Sequence, residues 1–595
     1  MKRASVVFWA GLAGAMLAAV ALSPIVLRPG QVLCAYDHPG DAMISIWSTW
    51  VRLGADAGRW SLDRVPLVAV PDGVNFRHNP PEPALEFPQL TLARVLGEVA
   101  AFNWHLWATF PLAAATAALL LWEMTRRCST AIIGGLLYAF APYHVAHTVQ
   151  LSLASIQWMP LGLWAWYRLL QRPTWPRALV QAACTALIFW TTAYYGFLFL
   201  LASAAFLTGL LVSDPHLRRN LGLVLTRGIA SYGLLAAVSL PWCGPFLHAA
   251  VLDKPGFWPM RYAFAVKHLF VYSAKPWDYL IPSIHHPWFG PLVKPFVLAH
   301  LYGSNVTEQT LYLGYASLGL CVTAIVMAAH RQASVARVPV MTLTALGLVS
   351  LWCSAPPLVP ISPFRIEQDT LLTRWFIPFP SLVLHQLLPM FRVYARFGLL
   401  VGLATAGLAG IGWAALSDRL QERPALRRIV LVGIGLILAM EYAVALPARV
   451  IDPPPPVYEW LAARPGSGII AEYPFLPSTH AFHAEYLFYQ RLHGRPMLNG
   501  GFERRVGDTD RLAFVDLRDP AVARRLQARG VRYVVVHYDR YDAIPKRQTS
   551  IEIFGVSYQA PARHPDEELP APPRDLPGLR QVAAFDDAIV YEPAS

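Results

Sequence analysis

Long apolar runs separated by short arginine-bearing segments are the feature that most limits how this chain can fold. The first run, Val6 to Leu27, follows Met1-Lys-Arg and is as long as a full membrane span. Because further runs follow it, we interpret it as an uncleaved anchor and not as a signal peptide. Of the 595 residues, 55% are hydrophobic and only 14% are charged, which is too apolar for a soluble protein of this length. The sequence therefore predicts an α-helical polytopic membrane protein.

The remaining apolar runs predict ten more membrane-spanning helices, which gives about eleven in all. Their predicted bounds are 104–124, 130–142, 153–170, 178–194, 195–213, 229–250, 310–329, 338–353, 397–416 and 428–447. The run 130–142 is short for a straight crossing, and 178–213 can also be divided differently.

Arginine is concentrated in alternate loops, the pattern that sets the orientation of membrane proteins. These loops share a side with Lys2 and Arg3, and they lie at 126–127, 168–177, 218–219, 331–337 and 419–428. We predict that this side is cytoplasmic and that the chain lies in the inner (cytoplasmic) membrane. The same distribution accounts for the net charge of +12, so a nucleic-acid partner is not predicted.

The other side of the membrane receives a long first loop, 29–102, and two outer loops, 251–309 and 354–396. Residues 1–450 then form one multispan domain. After it the composition becomes polar, and the prolines at 453–456 predict a stiff linker. Predicted strands at 468–473 and 531–537 with a helix at 520–529 make residues 451–595 a C-terminal soluble, extracytoplasmic α/β domain. It has no phosphate loop or Gly-x-Ser-x-Gly motif, so we predict that it binds an acceptor or partner without performing chemistry.

Two acids, Asp37 and Asp41, lie in the first loop close to the predicted outer surface. Gly40 supplies a turn, and Asp41 is predicted as the N-cap of a helix in the membrane interface. The apolar face of that helix carries Met43, Ile46, Trp47 and Trp50. A carboxylate here can act as a general base toward a hydroxyl or hold a divalent metal. The alternative is that Asp41 only caps its helix.

The basic sequence Arg392-Val-Tyr394-Ala-Arg396-Phe397 directly precedes the predicted span 397–416. Two arginines four residues apart are predicted to share a helix face at the depth of a lipid phosphate. They are equally explained as anchors that reach out of the membrane, but the outer side does not call for arginine, which favours phosphate binding. Tyr394 between them and Lys275 in the loop 251–309 complete this predicted substrate-binding set.

Histidines give two further candidate sites. His144 and His147 are three residues apart at the outer end of a predicted span, where they either bind phosphate or metal or make hydrogen bonds to lipid headgroups. In the C-terminal part, His480-Ala-Phe-His-Ala-Glu-Tyr486 has a spacing that suggests a metal site. A surface helix with solvated histidines is the favoured interpretation.

An acid in a long first outer loop, here Asp41 with Asp37 nearby, is combined with many spans, with outer loops rich in aromatic and basic residues, and with a soluble outer domain at the C-terminus. This combination resembles the C-type glycosyltransferases. Several short stretches, taken in their order along the chain, are Pro71-Asp-Gly-Val-Asn-Phe, Tyr138-Ala-Phe-Ala-Pro-Tyr-His144, Gln157-Trp-Met-Pro-Leu161, Thr192-Ala-Tyr-Tyr-Gly196, Asp278-Tyr-Leu-Ile-Pro-Ser283, Tyr312-Leu-Gly-Tyr315 and Arg392-Val-Tyr-Ala-Arg-Phe397. They resemble a group of bacterial multispan membrane proteins related to that superfamily. The resemblance covers roughly the first 450 residues. It implies that the first-loop acid serves as a base or a metal-linked activator, and that basic residues of the outer loops hold a carrier phosphate.

The leading hypothesis is a membrane glycosyltransferase that moves a sugar from a polyprenyl-phosphate carrier to a glycan, lipid or protein acceptor on the extracytoplasmic face. Asp41 would be the base with Asp37 assisting, and Arg392 and Arg396 would stabilise the leaving phosphate. The sequence assigns no certain cofactor, a divalent metal is possible, and the membrane lipid itself is a partner. Two other hypotheses stay open. One is a transporter or flippase for a lipid-linked saccharide, with Glu441 as an acid inside a span, and the other is a non-catalytic envelope assembly protein.

Overall fold

The structure is a computed structural model of the whole chain. It describes residues 2–594 except for 36–37, 80, 249–263, 265, 302–303, 331–335, 361–364, 368–369, 373–375, 444, 452, 477–480, 501–511, 544–549, 554–555 and 560–569. Asp37 lies outside the described residues, and its role therefore stays a prediction.

Seven of the described helices are long and apolar enough to cross a membrane, which makes the chain a multipass membrane protein. They are Arg3–Ala21, Glu98–Thr125, Cys128–Ala146, Ala193–Ser213, Leu221–Phe246, Arg337–Ser354 and Tyr394–Arg419. The other four predicted spans overlap the helices Trp158–Gln171, Trp175–Phe189, Tyr315–Ala329 and Pro424–Glu441, which are not among these seven. The predicted fold class is confirmed, whereas the count of eleven spans stays a prediction.

The helices of the membrane part are numbered in chain order. They are α1 Arg3–Ala21, α2 Ser23–Leu27, α3 Gly40–Asp56, α4 Pro83–Leu96, α5 Glu98–Thr125, α6 Cys128–Ala139, α7 Pro142–Ala146, α8 Leu151–Ala154, α9 Trp158–Gln171, α10 Trp175–Phe189, α11 Ala193–Ser213, α12 Pro215–Arg219, α13 Leu221–Leu247, α14 Lys267–Val271, α15 Gly290–Ala299, α16 Val306–Gln309, α17 Tyr315–Ala329, α18 Arg337–Ser354, α19 Pro380–Leu387, α20 Gly398–Arg419 and α21 Pro424–Glu441.

The strands form four small sheets, and their bounds are β1 Val32–Cys34, β2 Leu358–Pro360, β3 Arg365–Glu367, β4 Thr370–Leu372, β5 Phe376–Pro378, β6 Ala448–Val450, β7 Ile469–Tyr473, β8 Val531–Val536, β9 Ser550–Ile553, β10 Val556–Gln559, β11 Leu579–Ala584 and β12 Ile589–Pro593. β1 pairs with β6 and β2 with β5, while β4, β3, β10 and β9 form a third sheet. The pairing of β1 with β6 is antiparallel and ties the first loop to the chain just before residue 451.

The C-terminal part contains a four-stranded sheet in the order β11-β12-β8-β7, in which β7 and β8 run parallel and the other neighbours antiparallel. Its helices are α22 Pro456–Ala463, α23 Ala481–His493, α24 Pro520–Ala528 and α25 Tyr538–Ala543. The strands predicted at 468–473 and 531–537 and the helix at 520–529 are confirmed as β7, β8 and α24. The α/β composition of residues 451–595 is therefore correct.

Helix α20 lies at the centre of the membrane part and is buried along most of its length. Its glycines let neighbouring backbones come close, as small residues do between membrane helices. A Cβ atom on Gly410 would lie 2.5 Å from the carbonyl oxygen of Thr130 in α6. A Cβ atom on Gly412 would overlap the carbonyl oxygen of Leu320 in α17. The apolar sequence of α20 makes it a span, and its glycines let it be the central one.

Residues after 450 pack directly against the first loop. The amide of Met497 donates to the carbonyl of Leu67 at 2.8 Å, and the amide of Ala69 donates to the carbonyl of Asn499 at 3.0 Å. Buried apolar residues from both parts form one continuous core. The prolines at 453–456 therefore do not separate this domain from the membrane part. Pro456 already begins α22, and the domain packs against the first loop.

Helix α3 departs from its prediction in two respects. Pro39 is the N-cap and the helix begins at Gly40, so Asp41 lies in the first turn and is not the cap. Ile46 and Trp47 are fully buried and do not lie among lipid headgroups, because α23 packs over this face of α3. The indole N–H of Trp47 donates to the side-chain oxygen of Gln490 in α23 at 2.7 Å.

The predicted surface helix with solvated histidines is wrong for His483 for the same reason, whereas His480 lies outside the described residues. His483 and Glu485 are 1% and 5% exposed, because the helix that carries them, α23, is the one that covers α3. A sequence with charged and aromatic residues on several faces gave no sign of which face would be covered.

We expect Gly412→Ala to lower the stability of the membrane part by about 1–3 kcal/mol, because the added methyl group must push α17 away from α20. Gly402→Ala is the matched control in the same helix, since a Cβ atom there has nothing within 4 Å. Thermal unfolding of the purified protein in detergent measures both. Equal unfolding temperatures for the two variants would contradict the close contact.

Candidate active site

A cavity of about 490 Å³ lies between α3, the start of α4 and the first residues of α11 and α20. One face of α3 lines it at helical spacing, with Asp41, Ile44, Ser45, Ser48, Thr49 and Arg52. The facing wall is formed by residues of α4, by 150–153, and by Tyr194 and Arg396. The cavity therefore contains both the predicted base, Asp41, and one predicted phosphate ligand, Arg396.

Asp41 is held in place by one side chain from across the cavity. The amide nitrogen Nε2 of Gln150 donates to Oδ2 of Asp41 at 2.6 Å. Its other oxygen, Oδ1, accepts no hydrogen bond from the described residues. The first turn of α3 also places the carboxylate at the helix end whose dipole favours negative charge. Asp41 thus has a fixed orientation and one oxygen left for a ligand.

Arg396 reaches the cavity from a single 3-10 turn, Tyr394–Phe397, that leads into α20. Its Nη2 and Nε donate to Oε1 of Glu308 at 2.5 and 3.2 Å, and its guanidinium lies 4.4 Å above the Tyr194 ring. Nε2 of His147 lies 3.5 Å from the other oxygen of Glu308. Burial opposes ionisation, but Arg396 and His147 together lower the pKa of Glu308. Within the described chain Nη1 of Arg396 has no hydrogen-bond partner.

Two further carboxyl groups line the cavity from α4 and the residue before it. Glu86 forms an ion pair with Arg52 at 2.6 Å. Glu82 has no ion pair among the described residues. Burial, together with the Glu86 carboxylate and against the attraction of Arg52, raises the pKa of Glu82 to about 8. At neutral pH Glu82 therefore keeps its proton and can donate a hydrogen bond into the cavity.

Arg392 and Arg396 do not share a helix face, so that part of the prediction is wrong. The chain is helical only from Tyr394 onward. The Arg392 guanidinium lies over the rings of Phe264 and Tyr272, at 4.4 and 5.0 Å, and does not line the cavity. The physical reason for the divergence is Glu308, whose buried charge draws Arg396 to the opposite side.

Lys275 is fully buried within the protein. Its Nζ donates to the carbonyl of Val271 at 3.0 Å, and its backbone amide donates to Oδ2 of Asp278 at 2.7 Å. Burial lowers the pKa of Lys275 and raises that of Asp278, which draws the pair toward its neutral form. The role of Lys275 in this structure is to hold the turn that begins at Pro276.

The other predicted binding residues also make contacts inside the protein. His144 is buried, stacks on Phe110 with ring centres 4.0 Å apart, and lies 3.0 Å from the hydroxyl of Thr109. His147 contacts Glu308, as described above. Tyr394 is 2% exposed and its hydroxyl has no hydrogen-bond partner among the described residues. None of these three side chains lines the cavity.

No group of three or more His, Cys, Asp or Glu side chains in the described part of the chain is arranged to hold a metal ion. The possible divalent metal therefore stays a prediction, and no role in this site is derived from it.

Sequence reasoning missed Glu82, Glu308 and Gln150. A signal for Glu308 was available, because it is the only acid between Asp278 and Glu367. Glu82 stands among prolines before a helix, where an acid is most simply interpreted as a cap. Gln150 carried no signal, since nothing in its neighbourhood indicates that it meets a residue 109 positions earlier.

No protein-family model matches the chain, and no match was found among curated proteins. Two similar solved structures are an Archaeoglobus fulgidus oligosaccharyltransferase with zinc and sulfate, and ArnT from Cupriavidus metallidurans bound to undecaprenyl phosphate. The first is 11% identical to this chain, with a TM-score of 0.48, and the alignment covers 89% of this chain and 68% of the oligosaccharyltransferase chain. The second is 11% identical to this chain, with a TM-score of 0.37, and the alignment covers 98% of this chain and 97% of the ArnT chain. At this low similarity no activity is taken from them.

We expect the stability of the folded chain to depend on Glu82 between about pH 5 and pH 8. The folded chain keeps the Glu82 proton up to about pH 8, whereas the unfolded chain loses it near pH 4. The free energy of unfolding should therefore fall as the pH rises through this window. Glu82→Gln is permanently neutral and should be more stable than the wild type at pH 8 but similar at pH 5.

Thermal unfolding in detergent at the two pH values measures this difference. Glu459→Gln, at an exposed glutamate of α22, is the matched control. An identical pH dependence for Glu82→Gln and the wild type would show that Glu82 is ionised throughout.

Proposed function

We propose that the chain is a membrane glycosyltransferase that transfers a sugar from a polyprenyl-phosphate carrier to an acceptor hydroxyl on the extracytoplasmic face, with Asp41 as the general base. The observation that supports this most directly is that Asp41 and Arg396 line one cavity at the end of the apolar helices. A base and a cation that face the same space are the two groups this reaction needs.

The lining of the cavity suits a donor that is part lipid and part sugar phosphate. Apolar side chains of Ile44, Leu85 and Leu153 alternate with the hydroxyls of Ser45 and Ser48. A polyprenyl chain cannot leave the bilayer, so its phosphate must be met where membrane helices end. The cavity lies there, beside the first residues of α11 and α20.

In the proposed step the oxygen of the acceptor hydroxyl forms a bond to the anomeric carbon of the donor sugar. The bond from that carbon to the phosphate oxygen breaks, and the electron pair leaves with the phosphate. The acceptor proton passes to Asp41, whose Oδ1 is left open while Gln150 holds Oδ2. Attack opposite to the leaving phosphate inverts the configuration of the sugar.

Arg396 is proposed to stabilise the leaving phosphate. Glu308 takes its Nε and Nη2, fixes the plane of the guanidinium, and leaves Nη1 for a phosphate oxygen. A protonated Glu82 in the same cavity adds a hydrogen-bond donor where an ionised carboxylate would repel the phosphate. Arg392 points elsewhere and is not assigned to this step.

The transporter alternative has weaker support. Glu441, the acid that suggested it, ends α21 and accepts hydrogen bonds from the amides of Tyr315 and Ala316, at 2.9 and 3.0 Å. It therefore caps the first turn of α17 and is fixed by the helix that it caps. Transfer activity in detergent, where no gradient exists, separates an enzyme from a carrier.

We expect Asp41→Asn to reduce sugar transfer by about 10²–10⁴-fold, because asparagine keeps the shape of the side chain but cannot take the proton. Asp63→Asn is the control, since Asp63 lies in the same loop in an exposed ion pair with Arg77. The assay follows transfer from the polyprenyl-linked sugar fraction of cells grown on ¹⁴C-glucose. Wild-type transfer by Asp41→Asn would refute the assignment of the base.

The role of Arg396 needs a paired variant, because removing one partner would leave a buried charge unpaired and cost about 3–5 kcal/mol. Glu308→Gln with Arg396→Gln removes both charges together. We expect this double variant to bind undecaprenyl phosphate about ten- to a hundredfold more weakly, the value of a charged hydrogen bond. The binding of labelled undecaprenyl phosphate to protein in detergent measures the effect.

Arg392→Gln is the matched control for that experiment, since it removes an arginine four residues away that does not line the cavity. We expect its affinity for undecaprenyl phosphate to equal that of the wild type. Loss of binding by Arg392→Gln and not by the double variant would move the phosphate site away from this cavity.

A further inference from the structure

A glutamate of the C-terminal domain contacts the residues directly before Asp41. Glu485 of α23 lies with Oε1 2.9 Å from Nε2 of His38 and 2.7 Å from Nη2 of Arg449. Its other oxygen, Oε2, lies 3.0 Å from Nη2 of Arg540. Nη1 of Arg449 also lies 3.2 Å from Nε2 of His38, so the three side chains form one cluster. The first loop is therefore held by a charge that belongs to the other end of the chain.

The surroundings of Glu485 keep it ionised. Its side chain is 7% exposed, and burial alone would favour the neutral acid. The hydrogen bond from His38 and the charges of Arg540 and Arg449 outweigh that effect and lower the pKa of Glu485 to about 2. Any movement of this carboxylate would break its contacts with all three side chains at once, which opposes a shift of the first loop.

The chain between His38 and Asp41 has little freedom to absorb a shift. Pro39 has a fixed φ angle, and its carbonyl accepts the first hydrogen bond of α3 from Met43 at 3.0 Å. His38 is therefore attached directly to the first turn of the helix that carries Asp41. Further along α3, the indole N–H of Trp47 donates a hydrogen bond to Gln490, which lies five residues after Glu485 in α23.

From these contacts we infer that Glu485 is a positioning residue for the proposed base. It acts through His38 and fixes how far the first turn of α3 carries Asp41 into the cavity. The two attachment points, at His38 and Trp47, set the height and the rotation of α3, which packing of its apolar face alone would leave adjustable. This inference rests on the proposed function, and it makes the C-terminal domain part of the catalytic unit and not only an acceptor-binding module.

The test compares Glu485→Gln and His38→Ala with the wild type in the transfer assay, using the same ¹⁴C-labelled polyprenyl-linked sugar fraction. We expect kcat to fall by about ten- to a hundredfold in each, because displacing a reacting group by about 1 Å has an effect of that size. The donor KM and the affinity for undecaprenyl phosphate should stay within about twofold, because Arg396 does not contact this network. The double variant should be no slower than the slower single variant, since both changes break one linkage.

His38 is the more exposed partner, at 28% of its side chain, so His38→Ala decides the matter if Glu485→Gln fails to fold. Glu592→Gln is the control, because it breaks an ion pair with the exposed Arg580 across the β11–β12 pair of the same domain. A wild-type kcat for His38→Ala, or a loss confined to the donor KM, would overturn the inference while an inactive Asp41→Asn still upheld the base. An active Asp41→Asn would instead refute the assignment of the base, on which this inference rests.

Discussion

The packing of α23 on α3 is the contact on which the rest of the structure depends. Helix α3 has an apolar face that needs cover, and in the structure protein covers it and not lipid. Trp47 can be buried completely because the side-chain oxygen of Gln490 accepts a hydrogen bond from its indole N–H. With that face covered, the opposite face is left to line a cavity. One helix thus separates a protein core from a polar space at the end of the membrane helices.

Three buried charged groups show how charge is accommodated inside the described part of the chain. Arg396 is paired with Glu308, Glu485 with Arg449 and Arg540 beside His38, and Glu441 with the amides that begin α17. Such pairing offsets the cost of removing a charge from water. Asp41 and Glu82 have no ion pair among the described residues, and both line the cavity. Acids left without a counter-charge in a shared space are the groups to which proton transfer is most reasonably assigned.

The site is assembled from segments that lie far apart in the sequence. Asp41 comes from the first loop, Gln150 from the turn before α8, and Arg396 from the turn before α20. The glycines of α20 let that helix lie at the centre of the membrane part. The position of α20 in turn sets the position of Arg396, which lies in the turn directly before it. The C-terminal domain then fixes α3 from the other side. Membrane packing and domain docking therefore meet at the same cavity.

The sequence by itself determined the multispan helical class, two of the four strands of the C-terminal sheet and one of the helices beside it. It also predicted Asp41 and Arg396 as candidate site residues, and the structure places both in one cavity. Hydrophobic run length, alternation and turn residues act locally, so they can be seen without the fold. Only the tertiary structure decided that Arg392 turns away, that Lys275 and His144 are internal, and that α23 is buried. Those outcomes depend on which distant side chain supplies a partner, as Glu308 does for Arg396 and Gln490 for Trp47, and no local pattern encodes the identity of that partner.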